Sequence, residues 1–225
     1  MSGGGRLVIA GAGGLGREVA AYAGEGGLTV RGFLDDTAAD PTAFGLNLPV
    51  LGPIDAYDPA DGDEVLVAVG APGARAAIAA RLAARGARFA VLVHPLAYVA
   101  RPSLLEPGCI VAPFATIGLN AHLGPHCLIN THAGIGHDCR LGACTVVSPH
   151  GVVNGFAHLG DGVLVGSSAV VTPGRRLGGG ARVSAGSVVQ ADVAAETTVW
   201  GNPARPLPPS PPRPKTGEEP AGRSP

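Results

Sequence analysis

Aromatic residues make up only 4% of the chain, with five Phe, three Tyr and one Trp. A folded core must therefore be assembled from aliphatic side chains and alanine. Charge is scarce as well. Charged residues are 15% of the total and the formal net charge is −1, which disfavours a nucleic-acid binder, since that needs a basic footprint. No uninterrupted apolar run approaches the ~18 residues of a membrane-spanning helix. Met1–Arg6 lacks the basic segment, apolar stretch and cleavage site of a signal peptide, so a cytoplasmic location is expected. The four cysteines (Cys109, Cys127, Cys139, Cys144) have no C-x-x-C spacing and are expected as reduced thiols.

Glycine and proline are abundant, at 36 and 21 of 225 residues. Without a period, such a content signals disorder. However, hydrophobic residues reach 46% and the mean hydropathy is +0.28, unlike a disordered chain. Spacing resolves the conflict. From Val93 to Val189 every sixth residue is Val, Leu or Ile, 17 in succession. The fifth position of each hexad is small or β-branched, except at Arg175. Pro95, Pro107, Pro113, Pro125, Pro149 and Pro173 recur at the third position, where a fixed φ suits a turning coil. This is the hexapeptide signature of a left-handed parallel β-helix, with three hexads per triangular turn and between five and six turns in all. Each coil buries its aliphatic row only against its neighbours. Cys109, Cys127 and Cys139 fall at the inward fifth position and read as core filling.

Residues 1–92 follow another pattern. Strand-like Leu7–Ala10, Thr29–Leu34, Glu64–Val69 and Phe89–Val93 alternate with helix-like segments over 14–25 and 72–85, which predicts a small parallel α/β sheet. Residues 206–225 hold eight prolines and no aliphatic row, and read as a disordered tail. The predicted organisation is thus an α/β N-terminal half-Rossmann domain (1–92), a left-handed β-helix domain (93–205) and a tail (206–225). Trp200–Arg205 reads as a chain reversal capping the solenoid.

Three constellations carry chemistry. The run Gly11, Ala12, Gly13, Gly14, Leu15, Gly16 matches G-x-G-x-x-G between a strand and a helix, where glycines and free amides approach a phosphate. Asp35 and Asp36 follow the second strand, 19 and 20 residues after Gly16, placed for a ribose hydroxyl. Gly70 belongs to the same sheet edge. One mononucleotide-binding half favours a nucleotide-linked substrate over NAD. The second constellation is histidine. All seven lie within residues 93–194 and none takes an inward position. His122 and His126 are four apart but on a coil rather than a helix, so no metal is expected. His137 is followed by Asp138. Imidazole accepts protons at neutral pH, and a carboxylate partner raises its basicity. Adjacent strand residues point to opposite faces, so the pairing requires a corner here. The third constellation is the capping segment Trp200–Arg205.

Together these residues resemble the NeuD/PglD family of sugar O/N-acetyltransferases over about residues 6–205. The resemblance rests on Gly11–Gly16 with Asp35 and Asp36, on Asn130 and Thr131 leading to Gly136–Cys139, on the hexads, and on Gly201–Arg205. It implies acetyl-CoA as donor, a nucleotide-linked amino sugar as acceptor, and a homotrimer with sites between adjacent β-helices. It implies His137 as the base, supported by Asp138. Gly11, Gly13, Gly14, Gly16, Asp35, Asp36 and Gly70 would hold the sugar nucleotide, Asn130 would lie near the acceptor amine, and Ser167 and Ala185 would line the CoA groove. Leu15 and Val146 stand where members of the family carry histidines. A hydroxyl acceptor, or a non-catalytic or carbonic-anhydrase-like hexapeptide protein, is the alternative expectation.

Overall fold

The computed structural model describes residues 6–37 and 45–207. The expected disordered tail lies outside the described residues, apart from its first two positions.

The N-terminal unit is a four-stranded parallel sheet in the order β3-β2-β1-β4, with β1 at Arg6–Ala10, β2 at Thr29–Leu34, β3 at Val50–Gly52 and β4 at Asp63–Val67. Helix α1 (Gly14–Glu25) buries Gly16, Val19, Ala20 and Ala23, a single helical face. Helix α2 (Pro72–Ala84) starts with proline, whose missing N–H costs nothing at that position. Strand β3 has no counterpart in the sequence reading, because it is three residues long and bounded by Pro49 and Pro53. The expected fourth strand over Phe89–Val93 is corrected. Val65 N–H donates to the Arg88 carbonyl and Ala90 N–H to that of Val65, so residues 88–90 touch β4 through one bridge. Leu92 and Val93 instead form the first strand of the solenoid, with Leu92 N–H donating to Cys109. One extended run serves both units.

The remainder is a left-handed parallel β-helix of two-residue strands stacked at intervals of 18 residues, making three faces. Val111, Ile117, Leu123 and their equivalents form one continuous core with Cys109, Ala115, Ala121, Cys127 and Cys139. The polar atoms at the fifth position are satisfied within that core. The Cys109, Cys127, Cys139 and Thr145 side chains each donate to a carbonyl 15 residues on, at 3.1–3.2 Å. The fourth residue of every hexad from Gly108 to Gly186 turns the corner with φ between +56° and +85°. The strand Thr198–Gly201 stacks on Arg182 and Val183 after a coil two residues short, then reverses into Ala204–Pro206, closing the end as expected.

The outward rows distinguish the faces. On the first, Ile110, Leu128 and Val146 are buried in one cluster with Val19 and Ala23 of α1, so the α/β unit sits on this covered face. On the second, which we call the basic face, Leu104, His122, Arg140, His158 and Arg176 lie in register. The third, aliphatic face carries Thr116, Gly134, Val152, Val170 and Val188. Two side chains pin the α/β unit in place. Arg75 of α2 is fully buried and donates to the carbonyls of Val69 (3.0 Å) and His126 (3.3 Å). His94 lies 2.8 Å from Glu25 of α1 and edge-on to Tyr22. His94 thus projects outward from its coil, and it is only 1% exposed because α1 covers it.

Candidate active site

His137 and Asp138 sit on the edge between the aliphatic face (Gly134–Ile135) and the basic face (Arg140–Leu141). Asp138 is the corner residue, with φ +58°. The left-handed turn swings its carboxylate back beside its neighbour, and Asp138 Oδ2 lies 2.9 Å from His137 Nδ1. This is the corner that direct pairing required. The other carboxylate oxygen accepts from Asn120 Nδ2 at 2.6 Å. The Asn120 amide first, and then the His137 ring, hold the Asp138 carboxyl below the usual carboxylate range. An ionised Asp138 accepts the Nδ1 proton, which leaves Nε2 as the acceptor. Nε2 makes no hydrogen bond among the described residues.

Two residues missed by the sequence reading complete the setting. Phe156 meets the His137 ring edge-on at 4.9 Å. Gly155 lies beneath the ring, where an added Cβ would come within 2.7 Å of Cε1 and Nε2. The spacing that finds them is 18 residues, one coil beyond His137 and Asp138. Cys139, next in sequence, is fully buried, and that burial pushes its thiol up, away from the reactive thiolate.

Asn130, Ser167 and Ala185 lie on a different edge, between the covered and aliphatic faces. One chain therefore does not bring them to His137. The same edge carries a stack of rings that the sequence reading did not single out: Phe114 on His132 and His132 on His150, each at 4.8 Å. Val146 is buried on the covered face in the cluster that α1 also joins, and Leu15 packs against that cluster, so neither replaces a histidine in an open groove.

The Gly-rich turn is built as expected. Gly11 has φ +108°, and a Cβ there would meet the Ala68 carbonyl at 2.9 Å. At Gly16 a Cβ would fall 1.9 Å from the Gly11 carbonyl, so only glycine lets α1 approach β1. Gly13 and Gly70 face open space, and a Cβ at Gly14 would meet Arg17 Nη2 at 3.9 Å, an ordinary contact. Asp35 accepts from Ala12 N–H at 2.7 Å and from the Thr37 amide and hydroxyl. Partial burial pushes the Asp35 carboxyl up, but those donors outweigh it and hold it below its ordinary value. Asp36 pairs with Arg81 at 2.7 Å and accepts from Ile54 N–H. Asp35 therefore steadies the turn, and Asp36 ties the end of β2 to α2.

Among the described residues no three His, Cys, Asp or Glu side chains converge as a metal site, and no helix is long and apolar enough to cross a membrane.

Residues 6–82 match the PglD N-terminal domain family. No curated protein sequence matches significantly. Among solved structures, the acetyltransferase domain of PglB from Neisseria gonorrhoeae FA1090 is 31% identical over 90% of this chain and 100% of its own, with a TM-score of 0.83. Its complex with acetyl coenzyme A matches at 32% identity, 91% and 100% coverage, and the same TM-score. PerB from Caulobacter crescentus, in complex with CoA and GDP-perosamine, is 29% identical over 92% of this chain and 99% of its own, with a TM-score of 0.84. A half-Rossmann unit docked on a left-handed β-helix, shared end to end with these enzymes, shows that the chain belongs to the NeuD/PglD-type family of sugar acetyltransferases.

Proposed function

We propose that this protein transfers the acetyl group of acetyl-CoA to the amino group of a nucleotide-linked amino sugar, with His137 as general base. The observation that carries this reading is the His137–Asp138 pair at an open edge, with Nδ1 held and Nε2 free. Support for the substrates comes from the relatives that bind acetyl-CoA and GDP-perosamine. Nε2 takes a proton from the acceptor amine as its nitrogen attacks the thioester carbonyl. The C–N bond forms, the C–S bond breaks, and the CoA thiolate leaves with the proton returned by the imidazolium. A backbone N–H stabilises the oxyanion, a contribution of ~3–4 kcal/mol in comparable acyl transfers. No acyl-enzyme forms, and the buried Cys139 takes no part.

The sugar nucleotide binds the α/β unit within residues 1–92. Its phosphates meet the free amides at the start of α1, past Gly13 and Gly14, and its ribose displaces a hydrogen bond at Asp35 or Asp36. The β-helix domain, 93–205, carries the transfer. The working form is a homotrimer. His137 on one edge and Asn130, Ser167 and Ala185 on another cannot share a site within one chain, but they face each other when the aliphatic faces of neighbouring subunits come together. The CoA groove then runs between the subunits.

Replacing His137 with Ala tests the base. Turnover should be abolished while binding of the sugar nucleotide, measured by calorimetry, is retained. Retention of most activity contradicts the assignment.

A further inference from the structure

Asp138 does not stand alone at its corner. Along the edge that carries His137, the corner residue one coil earlier is Asn120, with φ +56°. Its side-chain amide donates to Asp138 Oδ1, while Oδ2 faces His137. Asn120 is itself fixed at both backbone ends. Its N–H donates to the Pro102 carbonyl at 2.6 Å, and its carbonyl accepts from Arg140 Nη1 at 2.6 Å. Arg140 also donates to the Cys139 carbonyl at 3.0 Å and makes no ion pair among the described residues, so its guanidinium binds the two corner segments together. A groove of about 270 Å³ lined by Ser103, Leu104, Asn120, His122 and Arg140 runs alongside.

A carboxylate at an exposed corner has rotational freedom. It can orient an imidazole only if its second oxygen is held. Asn120 supplies that hold from a separate coil, and the stacking of coils sets its distance. We infer that Asn120 is a positioning residue, anchored by Arg140, that fixes the Asp138 carboxylate so that it orients His137. This inference rests on the reading of His137 as the base. The charged and titratable groups near Asp138 are His137, Arg140 and the buried Cys139 thiol.

Two variants of the full-length protein test it. Asn120→Gly removes the side chain and tolerates the left-handed backbone. Asn120→Asp keeps the shape and replaces the donor with an acceptor. The first readout needs no substrate. Carbon-13 NMR titration of the Asp138 carboxyl should show its midpoint moving up in both variants. The second readout is acetyl transfer from acetyl-CoA to GDP-perosamine, or to whichever UDP-, dTDP- or GDP-linked 4-amino sugar turns over fastest. Loss of one charge-assisted hydrogen bond should lower kcat about tenfold or more, with KM for acetyl-CoA unchanged. In an Asp138→Gly background, which likewise tolerates the left-handed corner, Asn120→Gly should lower kcat no further. An unmoved Asp138 midpoint, or the same loss with and without Asp138, overturns the inference. Full activity in His137→Ala alongside a moved midpoint would remove the base and leave the Asn120–Asp138 coupling standing, so the two failures are distinct.

Discussion

A left-handed backbone at one residue brings the two side chains of the candidate site together. With an extended φ at 138, the carboxylate and the imidazole would point to opposite sides of the coil. At +58° they meet at 2.9 Å. The sequence held a sign of this that pairwise reading passes over. The fourth hexad position carries Asn120, His126, His132, Asp138 and His150 among its glycines, the residue types that accept positive φ most readily. His137 and Asp138 were therefore legible as candidates, but their contact was not. Gly155 and Phe156 were illegible because nothing in a linear reading distinguishes them from other hexad residues until the coils are stacked. Gly155→Ala tests how closely the ring is seated. Its backbone φ permits alanine, yet the new Cβ would strike Nε2 and Cε1. Misplacing the base by a fraction of an ångström to an ångström predicts a fall in kcat of up to about a hundredfold. Circular dichroism should show the β-helix intact. Unchanged kcat would mean that the ring does not work from this position.

At the scale of elements, legibility followed repetition. The solenoid strands were visible because 17 aliphatic residues recur at one interval and no other fold needs that pattern. Helices α1 and α2 were visible from their apolar faces and from their Gly and Pro borders. Strand β3 and the shared run from Arg88 to Val93 were not, because pairing to a distant partner defines them more than their own composition does. The Gly-rich turn was predicted from its motif, and its third glycine makes the sharpest test. Gly16→Ala would force α1 away from the Gly11 carbonyl. Binding of GDP-perosamine or a comparable sugar nucleotide should weaken at least about tenfold, and the α/β unit should lose about 1–3 kcal/mol, the range for overpacking. Normal affinity and an unchanged melting temperature would remove the turn from the binding site. Asp35 adds a pH dependence. Its carboxyl sits below its ordinary value, so its contribution is complete at neutral pH and is lost as pH falls through the lowered value.

For the whole molecule, the three faces divide the work. The covered face receives the α/β unit, the basic face carries His122, Arg140, His158 and Arg176, and the aliphatic face lies between the edge that carries His137 and the edge that carries Asn130, Ser167 and Ala185. The proposed trimerisation through the aliphatic face makes a prediction that a monomeric site does not. His137→Ala subunits and Ala185→Trp subunits should each be inactive alone, the second because the proposed groove would be filled. Unfolded together and refolded as mixed trimers, they should regain a fraction of wild-type activity, since some interfaces then pair an intact His137 with an intact groove. No recovery from mixed trimers would place the base and the groove in the same subunit.

The central claim, acetylation of an amino sugar by acetyl-CoA, is tested most directly by following free thiol release from acetyl-CoA with a panel of UDP-, dTDP- and GDP-linked 4-amino sugars and their hydroxyl counterparts, with mass analysis of the products. The predicted result is release that depends on an amino sugar nucleotide and yields an alkali-stable amide. Release only with hydroxyl sugars, giving alkali-labile esters, or no release with any member of the panel, would contradict it.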